Sequence, residues 1–375
     1  MRKIIIPILA FIISVIATCF WQKYGESWEI LADGEKYLLI VESKIVSAPF
    51  GYRILIPYLV KILPLNPNTG FQLITTICLA ATAVFIALYQ LKMFDPSRLV
   101  AIACLFYFSS FAFIYYSTTL IRPDPFILML IAFIIYRSND NISSLMILLL
   151  ITLGIFAHET ILICIIFLWI DKIFQQKITG GMKYKYSQLL VISIGSIFVF
   201  IVSRKVLNVE VSSNMSYHKN LSDMFFYVIE RNGGFTKHLM RIYASFGPIW
   251  LYALYFVSQY RSYKNYLTYY IICLFCIGLT FFATDTLRIM SLIYFPTIIY
   301  ASRFIYNLMK SGQRNISISL ILLQLLFSYI VYGHLRTFEA SVAMNNIAIL
   351  LSFITLILCI YVETRTRLKK SAVIN

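Results

Sequence analysis

Residues 21–65 read WQKYGESWEILADGEKYLLIVESKIVSAPFGYRILIPYLVKILPL, and the rest of the chain is arranged around this polar stretch. Its first part holds five of the sixteen acidic residues of the protein: Glu26, Glu29, Asp33, Glu35 and Glu42. Its second part is amphipathic, with Arg53 and Lys61 beside an apolar run bracketed by Pro57 and Pro64. We therefore expect an extracytoplasmic loop that contains short interfacial helices.

The composition predicts an all-α protein that crosses a membrane many times. Of the 375 residues 60% are hydrophobic, and the mean hydropathy is +0.80, whereas a soluble protein is about half apolar. We predict a transmembrane bundle of about twelve segments in a single domain over residues 1–375. The segments are 4–21, 69–91, 98–119, 124–136, 144–157, 160–174, 187–207, 242–259, 266–283, 287–308, 315–333 and 345–362.

Three of these segments, 124–136, 144–157 and 160–174, are too short to cross about 30 Å at 1.5 Å per residue. Short helices of this kind often line a polar cavity, because a cavity can satisfy backbone groups that lipid cannot. The middle of the chain is therefore expected to border a polar site.

Positive charge predicts the orientation of the segments. Starting with Met1-Arg2-Lys3 inside, as an uncleaved first span, Lys and Arg recur in every second connection. The inner side then holds four acids, Asp95, Asp140, Asp171 and Glu363, and the other twelve lie outside. Both termini are predicted in the cytoplasm, with a tail at 363–375 and outer loops at about 22–68 and 208–241.

The formal net charge of +16 is explained by this inner collar of basic residues, which would face anionic membrane lipids. A nucleic-acid partner is therefore not expected. The seven cysteines fall mostly within apolar segments, where they pack as small hydrophobic residues. Cys273 and Cys276 form a C-x-x-C pair, but no second pair or nearby histidine completes a metal site.

Charged residues at the outer ends of six segments need an explanation, because such residues are costly at membrane depth and are often functional. They are Asp33, Arg53, Arg122 with Asp124, His158 with Glu159, Asp285 with Arg288, and His334 with Arg336.

Each group has a structural and a functional interpretation. Arg122 lies in Arg-Pro-Asp-Pro, a stiff turn that either pairs Arg with Asp or holds a guanidinium for a phosphate. His158-Glu159 interrupts an apolar run as a polar turn or as part of a site, and the second histidine of a zinc motif is missing. Arg288 either pairs with Asp285 at i, i+3 or contacts a phosphate that Asp285 helps it to face.

Asp33 is the predicted general base, and Glu35 is its rival. Transfer of a group from a phosphate to a hydroxyl needs a carboxylate near the acceptor oxygen. The leaving phosphate needs positive charge, either from arginine or from a divalent cation such as Mg²⁺ or Mn²⁺. The alternative is that Asp33 caps a short loop helix in Asp-x-x-Lys-Tyr.

These features resemble the GT-C superfamily of integral-membrane glycosyltransferases, which use polyprenyl-phosphate-linked sugars. The resemblance is carried by Ala-Asp-Gly-Glu-Lys-Tyr around Asp33, Pro-Phe-Gly-Tyr-Arg-Ile-Leu-Ile-Pro at 49–57, Arg122-Pro123-Asp124, His158-Glu159-Thr160, Phe246-Gly247-Pro248-Ile249-Trp250 and Asp285-x-x-Arg288. It implies that the first-loop acid, here Asp33, is the catalytic carboxylate. The doubled acid of the superfamily and the large C-terminal domain of some relatives are absent from this sequence.

We therefore expect sugar transfer from a polyprenyl-phosphate-linked donor to a glycan, lipid or protein at the outer membrane face. One alternative is a Wzy-like polymerase of glycan repeat units, in which Arg231 and Arg241 of the second outer loop would matter. The other is a transporter of lipid-linked glycans, which would need polar groups along the whole path. The sequence offers few of these, Ser109, Ser110, Thr118 and Gln324 among them, and none is charged.

Overall fold

A computed structural model describes residues 2–24, 32–94, 97–119, 121–137, 143–173, 185–207, 209, 221–259, 263–282, 286–332 and 342–374. Within these ranges the protein is all-helical, as predicted, with eighteen α-helices and no strand. They are α1 Arg2–Tyr24, α2 Ala32–Val41, α3 Leu55–Ile62, α4 Pro67–Phe94, α5 Ser97–Phe108, α6 Phe111–Thr118, α7 Asp124–Arg137, α8 Ser144–Ala157, α9 Ile163–Ile173, α10 Tyr186–Leu207, α11 Leu221–Arg231, α12 Phe235–Ala244, α13 Pro248–Gln259, α14 Tyr263–Thr280, α15 Thr286–Ser291, α16 Tyr294–Lys310, α17 Arg314–Val331 and α18 Val342–Ile374.

Several of these helices are suited to a membrane. By length and composition, four helices in the described ranges could cross a bilayer: α1, α4, α10 and α17. The pair α5 and α6, bent by 49°, would be a fifth. The protein is therefore compatible with insertion in a membrane, whereas the count of twelve crossings stays a prediction.

The predicted span 98–119 is broken at Ser109-Ser110. The Ser110 side chain caps α6 by accepting a hydrogen bond from the Phe113 backbone N–H. The Ser109 carbonyl, which the break leaves free, accepts hydrogen bonds from Gln324 Nε2 at 3.1 Å and from Ser328 Oγ at 2.5 Å. Two side chains of α17 thus satisfy a carbonyl that would otherwise be buried without a partner.

Two other predicted spans are also divided. The span 242–259 is interrupted by a turn at 245–247, where Gly247 has φ +54° and a Cβ would lie 2.3 Å from the Phe327 ring. Glycine is required there both by the backbone angle and by the space. The span 287–308 is divided into the short helix α15 and the longer α16.

Short helices occupy the described parts of both outer loops. The first loop holds α2, a 3-10 turn at Phe50–Tyr52 and α3, which exposes Tyr58, Leu59 and Ile62 as an interfacial helix would. The second forms α11 and α12, joined by a turn in which Gly233 and Gly234 have positive φ, as expected for a glycine pair. At the other end of the chain, residues 363–374 continue α18.

Packing brings the middle of the chain together. Helix α4 contacts α1, α5 and α7, while α16 contacts α5, α13 and α17. Buried tyrosines link these layers, as where Tyr294 Oη donates to the Leu128 carbonyl at 2.9 Å. The amino end of α7, the carboxyl end of α8 and Arg204 near the carboxyl end of α10 carry charged side chains that lie together.

Candidate functional site

Charged side chains from six segments of the chain meet in one cluster. They come from α2, the start of α3, the α6–α7 turn, the α8–α9 break, α10 and α15. We call this the charge cluster, and its members are Asp33, Arg53, Arg122, Asp124, His158, Glu159, Arg204 and Arg288.

Arg288 connects two carboxylates of the cluster. Its Nη2 lies 2.7 Å from Asp124 Oδ1 and 2.9 Å from Oδ2, and its Nε lies 3.1 Å from Oδ1. Its Nη1 lies 3.6 Å from Asp33 Oδ2. A guanidinium held by several hydrogen bonds is fixed in direction as well as in place.

Asp33 is held on one side and open on the other. Arg122 Nη1 donates to its Oδ2 at 3.2 Å, and Arg288 approaches the same oxygen. Among the residues that the structure describes, none donates a hydrogen bond to Oδ1. The Asp33 side chain is 35% exposed, compared with 10% for Asp124. Of these two carboxylates, Asp33 is therefore the one that an external hydroxyl group can reach.

The other half of the cluster is built around Glu159. Arg53 donates to both carboxylate oxygens, from Nη2 to Oε1 at 2.5 Å and from Nε to Oε2 at 3.1 Å. Arg204 Nη2 donates to Oε2 at 3.4 Å. The Arg204 guanidinium also lies 3.9 Å from the centre of the Tyr52 ring, a cation–π contact.

Tyr37 and Glu159 keep Arg53 charged. Arg53 Nη1 donates to Tyr37 Oη at 3.1 Å, and both side chains are buried. Burial alone would lower the pKa of Arg53, but the charge of Glu159 and the hydrogen bonds to Glu159 and Tyr37 favour the charged form, and the pKa is raised. Burial also raises the pKa of Tyr37, so this tyrosine stays neutral.

His158 lies between the two halves. Its backbone is extended, with φ −166° and ψ 130°, which ends α8 before the 3-10 turn Glu159–Leu162. Its Nε2 lies 3.3 Å from Arg288 Nη2, and its Nδ1 lies 3.1 Å from Thr160 Oγ1. Both ring nitrogens face donors, because the Arg288 guanidinium can only donate and Nδ1 accepts a hydrogen bond from the Thr160 backbone N–H at 3.3 Å.

Local sequence explains how these groups are presented. Pro123 and Pro125 fix φ around Asp124, so that α7 begins at this residue. A carboxylate in the first helical turn also interacts favourably with the helix dipole. On α2, Asp33 and Tyr37 are spaced i, i+4 and therefore share the face that meets the cluster.

Most of the residues predicted from the sequence are brought together here. Glu35 is not, because it is exposed on α2 and points away from the face shared by Asp33 and Tyr37. Asp285, His334 and Arg336 lie outside the described residues. The described carboxylate partners of Arg288 are Asp124 and Asp33, which are far away in sequence.

Arg204, Tyr37 and Tyr52 were missed by the sequence analysis. One signal could have pointed to Arg204: it lies at the outer end of the predicted span 187–207, where the positive-inside rule disfavours arginine. Tyr37 and Tyr52 lie within the quoted stretches 32–37 and 49–57, but neither was predicted as a site residue.

The charges of the cluster favour an anion. Among the described residues, four guanidinium groups face three carboxylates and a neutral histidine, which leaves one positive charge in excess. No three His, Cys, Asp or Glu side chains in the described ranges are grouped to hold a metal ion, and each carboxylate is already paired with arginine. The described cluster therefore does not fit a divalent cation.

Comparisons with known proteins add nothing to these observations. No protein-family profile matches this sequence, and no curated protein matches it.

Proposed function

We propose that the protein is a membrane glycosyltransferase of the GT-C kind, with the charge cluster as its active site. The donor is a sugar linked to a polyprenyl phosphate, and the acceptor is a hydroxyl of a glycan, lipid or protein. The reaction takes place at the outer face of a bacterial cytoplasmic membrane, with about twelve membrane segments and both termini in the cytoplasm.

The observation that carries the proposal is the position of Asp33. The Asp33 side chain is 35% exposed and lies beside two guanidinium groups, those of Arg122 and Arg288, and Asp124 fixes the second of these. A base next to fixed positive charge is what glycosyl transfer from a phosphate requires. A surface ion-pair network would not need arginines as deeply buried as Arg53 and Arg122.

The chemistry can be assigned to atoms of this chain. The acceptor hydroxyl oxygen bonds to the anomeric carbon while the bond from that carbon to the phosphate oxygen breaks. The proton of the hydroxyl passes to Asp33 Oδ1, and the electron pair of the broken bond stays on the phosphate. Arg122 and Arg288 hold Asp33 by Oδ2, so that Oδ1 faces the acceptor.

Arginines stabilise the leaving phosphate in this proposal. As the phosphodiester becomes a monoester it gains negative charge, and guanidinium groups that are already in place need no rearrangement. Arg288 and Arg204 are more exposed than Arg53 and Arg122, so these two are the residues assigned to the phosphate.

The test uses the full chain in lipid nanodiscs with a panel of polyprenyl-phosphate monosaccharides. Release of free polyprenyl phosphate is followed by liquid chromatography and mass spectrometry, with and without added membrane glycolipids. We expect release with at least one sugar. The proposal is overturned if no sugar gives more release than protein-free nanodiscs. A ladder of product lengths would indicate a repeat-unit polymerase instead.

A further inference from the structure

A second buried polar network lies beside α15 and outside the charge cluster. It consists of Asn232 in the α11–α12 turn, His238 on α12, Thr280 at the end of α14 and Thr286 at the start of α15. All four side chains are buried, and His238 is fully so. Buried polar groups of this kind define a geometry closely, because an unmade hydrogen bond there is costly.

The direction of each hydrogen bond in this network can be assigned. Arg241 Nη1 donates to Asn232 Oδ1, so the amide nitrogen of Asn232 must face His238 Nδ1, at 3.0 Å. Nδ1 therefore accepts, and the proton of the neutral ring is on Nε2. That proton is donated to Thr280 Oγ1 at 3.1 Å, whose own hydroxyl donates to the Ile277 carbonyl at 2.7 Å.

Thr286 attaches this network to the charge cluster. Its Oγ1 lies 3.5 Å from Asn232 Nδ2 and 3.4 Å from His238 Nδ1. Thr286 is the first residue of α15, a helix of six residues that carries Arg288 two positions later. A helix this short is not stable alone, so its direction depends on what holds its ends.

We propose that His238 is a positioning residue: as the neutral Nε2–H tautomer it fixes the start of α15 and so aims Arg288 at Asp33 and Asp124. The importance of this orientation of Arg288 for catalysis rests on the proposed function. The positioning itself rests on the hydrogen bonds alone.

The network is sensitive to pH. Among the described residues, the groups in contact with His238 are Asn232, Thr280, the Phe281 ring at 4.7 Å and Thr286, and these four are uncharged. Burial, and then Arg241, lower its pKa from the ordinary 6.5. A proton on Nδ1 would face the amide donor of Asn232. Because the pKa of His238 is lower in the folded protein, the hydrogen bonds of the neutral ring stabilise the fold fully above about pH 6.5. This stabilisation is lost as the pH falls below that value.

The test is hydrogen–deuterium exchange of residues 286–293, measured by mass spectrometry on the full chain in nanodiscs. Two variants each remove one hydrogen-bonding group of the network: His238→Phe removes the imidazole and Thr286→Val removes the hydroxyl. Thr286→Ser keeps the hydroxyl and is the matched control. We expect both variants to speed exchange by about fivefold to thirtyfold, the effect of 1–2 kcal/mol, while the control exchanges as the wild type does.

The pH dependence is measured on the same peptides after correction for intrinsic exchange. Between pH 7.5 and pH 5.5, exchange of residues 286–293 should rise in the wild type and stay constant in His238→Phe. Unchanged exchange in Thr286→Val, which alters a single hydroxyl group, would overturn the proposal, and so would an equal rise in Thr286→Ser. These readouts need no catalysis, so a failure of sugar transfer would leave them decisive.

Discussion

Arg288 and Asp124 are 164 positions apart in the sequence and form an ion pair in which Nη2 lies within 2.9 Å of both carboxylate oxygens. Both side chains are nearly buried. The pair joins α7 to α15, and through Asp33 it also joins α2. The geometry of the charge cluster therefore depends on this contact.

Replacement of Arg288 should destabilise the protein. Arg288→Met leaves the Asp124 carboxylate without its main partner, and loss of one member of a buried pair costs about 3–5 kcal/mol. Arg288→Lys keeps the positive charge but cannot bind both carboxylate oxygens as a guanidinium does. Its loss of stability should therefore be smaller than that of Arg288→Met. The free energy of unfolding is measured by denaturant titration in mixed micelles. The control is Arg98→Met, an exposed arginine on α5; an equal effect of the two methionine substitutions would contradict the prediction.

The hydroxyl of Tyr37 should contribute through Arg53. Tyr37→Phe removes the acceptor of Arg53 Nη1 and leaves a buried donor unsatisfied, which costs about 1–3 kcal/mol. Tyr58→Phe, at a half-exposed site on α3, is the matched control and should have no effect. Thermal unfolding of both variants decides the matter: the prediction requires a lower transition temperature for Tyr37→Phe alone.

The turn before α13 should not tolerate a side chain. Gly247→Ala places a methyl group 2.3–2.7 Å from the Phe327 ring in a residue with φ +54°, so either the ring or the turn must move. We expect a loss of about 1–3 kcal/mol, as for overpacking of a core. Gly278→Ala on α14 meets no atom within 4 Å and should leave stability unchanged or slightly higher. Similar stabilities for the two variants would argue against this geometry.

Arg204 should act mainly in donor binding. It contacts Glu159 and the Tyr52 ring while remaining more exposed than Arg53. Arg204→Gln removes one charge from the phosphate site and should raise KM for the donor about tenfold, the effect of about 1.4 kcal/mol. Arg204→Lys should recover part of the loss, and Lys205→Gln should have no effect. A fall in kcat with KM unchanged would show that Arg204 does not bind the donor ground state.

The sequence predicts many helices of this fold because apolar runs mark them, and Pro123 and His158 mark two places where a helix ends or begins. The turn at Gly247, which divides the predicted span 242–259, was not predicted. The division of the span 98–119 at Ser109-Ser110 was not predicted. It depends on Gln324 and Ser328 of α17, which donate hydrogen bonds to the freed Ser109 carbonyl. Contacts of this kind are not visible in a single sequence.

The same distinction holds for the site. One-sided charge led to seven of the eight residues of the charge cluster, since lipid disfavours charge at every position that does not face a cavity. It did not give their pairing. The expected partner of Arg288 at i, i+3, Asp285, lies outside the described residues, and the partners that the structure shows, Asp124 and Asp33, are far away in sequence. Long-range ion pairs depend on how the helices pack, and the helical period contains no information about that packing.

The most direct test of the central claim compares Asp33→Asn with Glu35→Gln in the polyprenyl-phosphate release assay. Both substitutions replace a carboxylate on α2 with an amide of the same shape, but only Asp33 lies in the charge cluster. We predict that Asp33→Asn lowers kcat by at least about a hundredfold, the lower end of general-base contributions, while Glu35→Gln keeps wild-type activity. Full activity in Asp33→Asn would contradict the assignment of this carboxylate as the base.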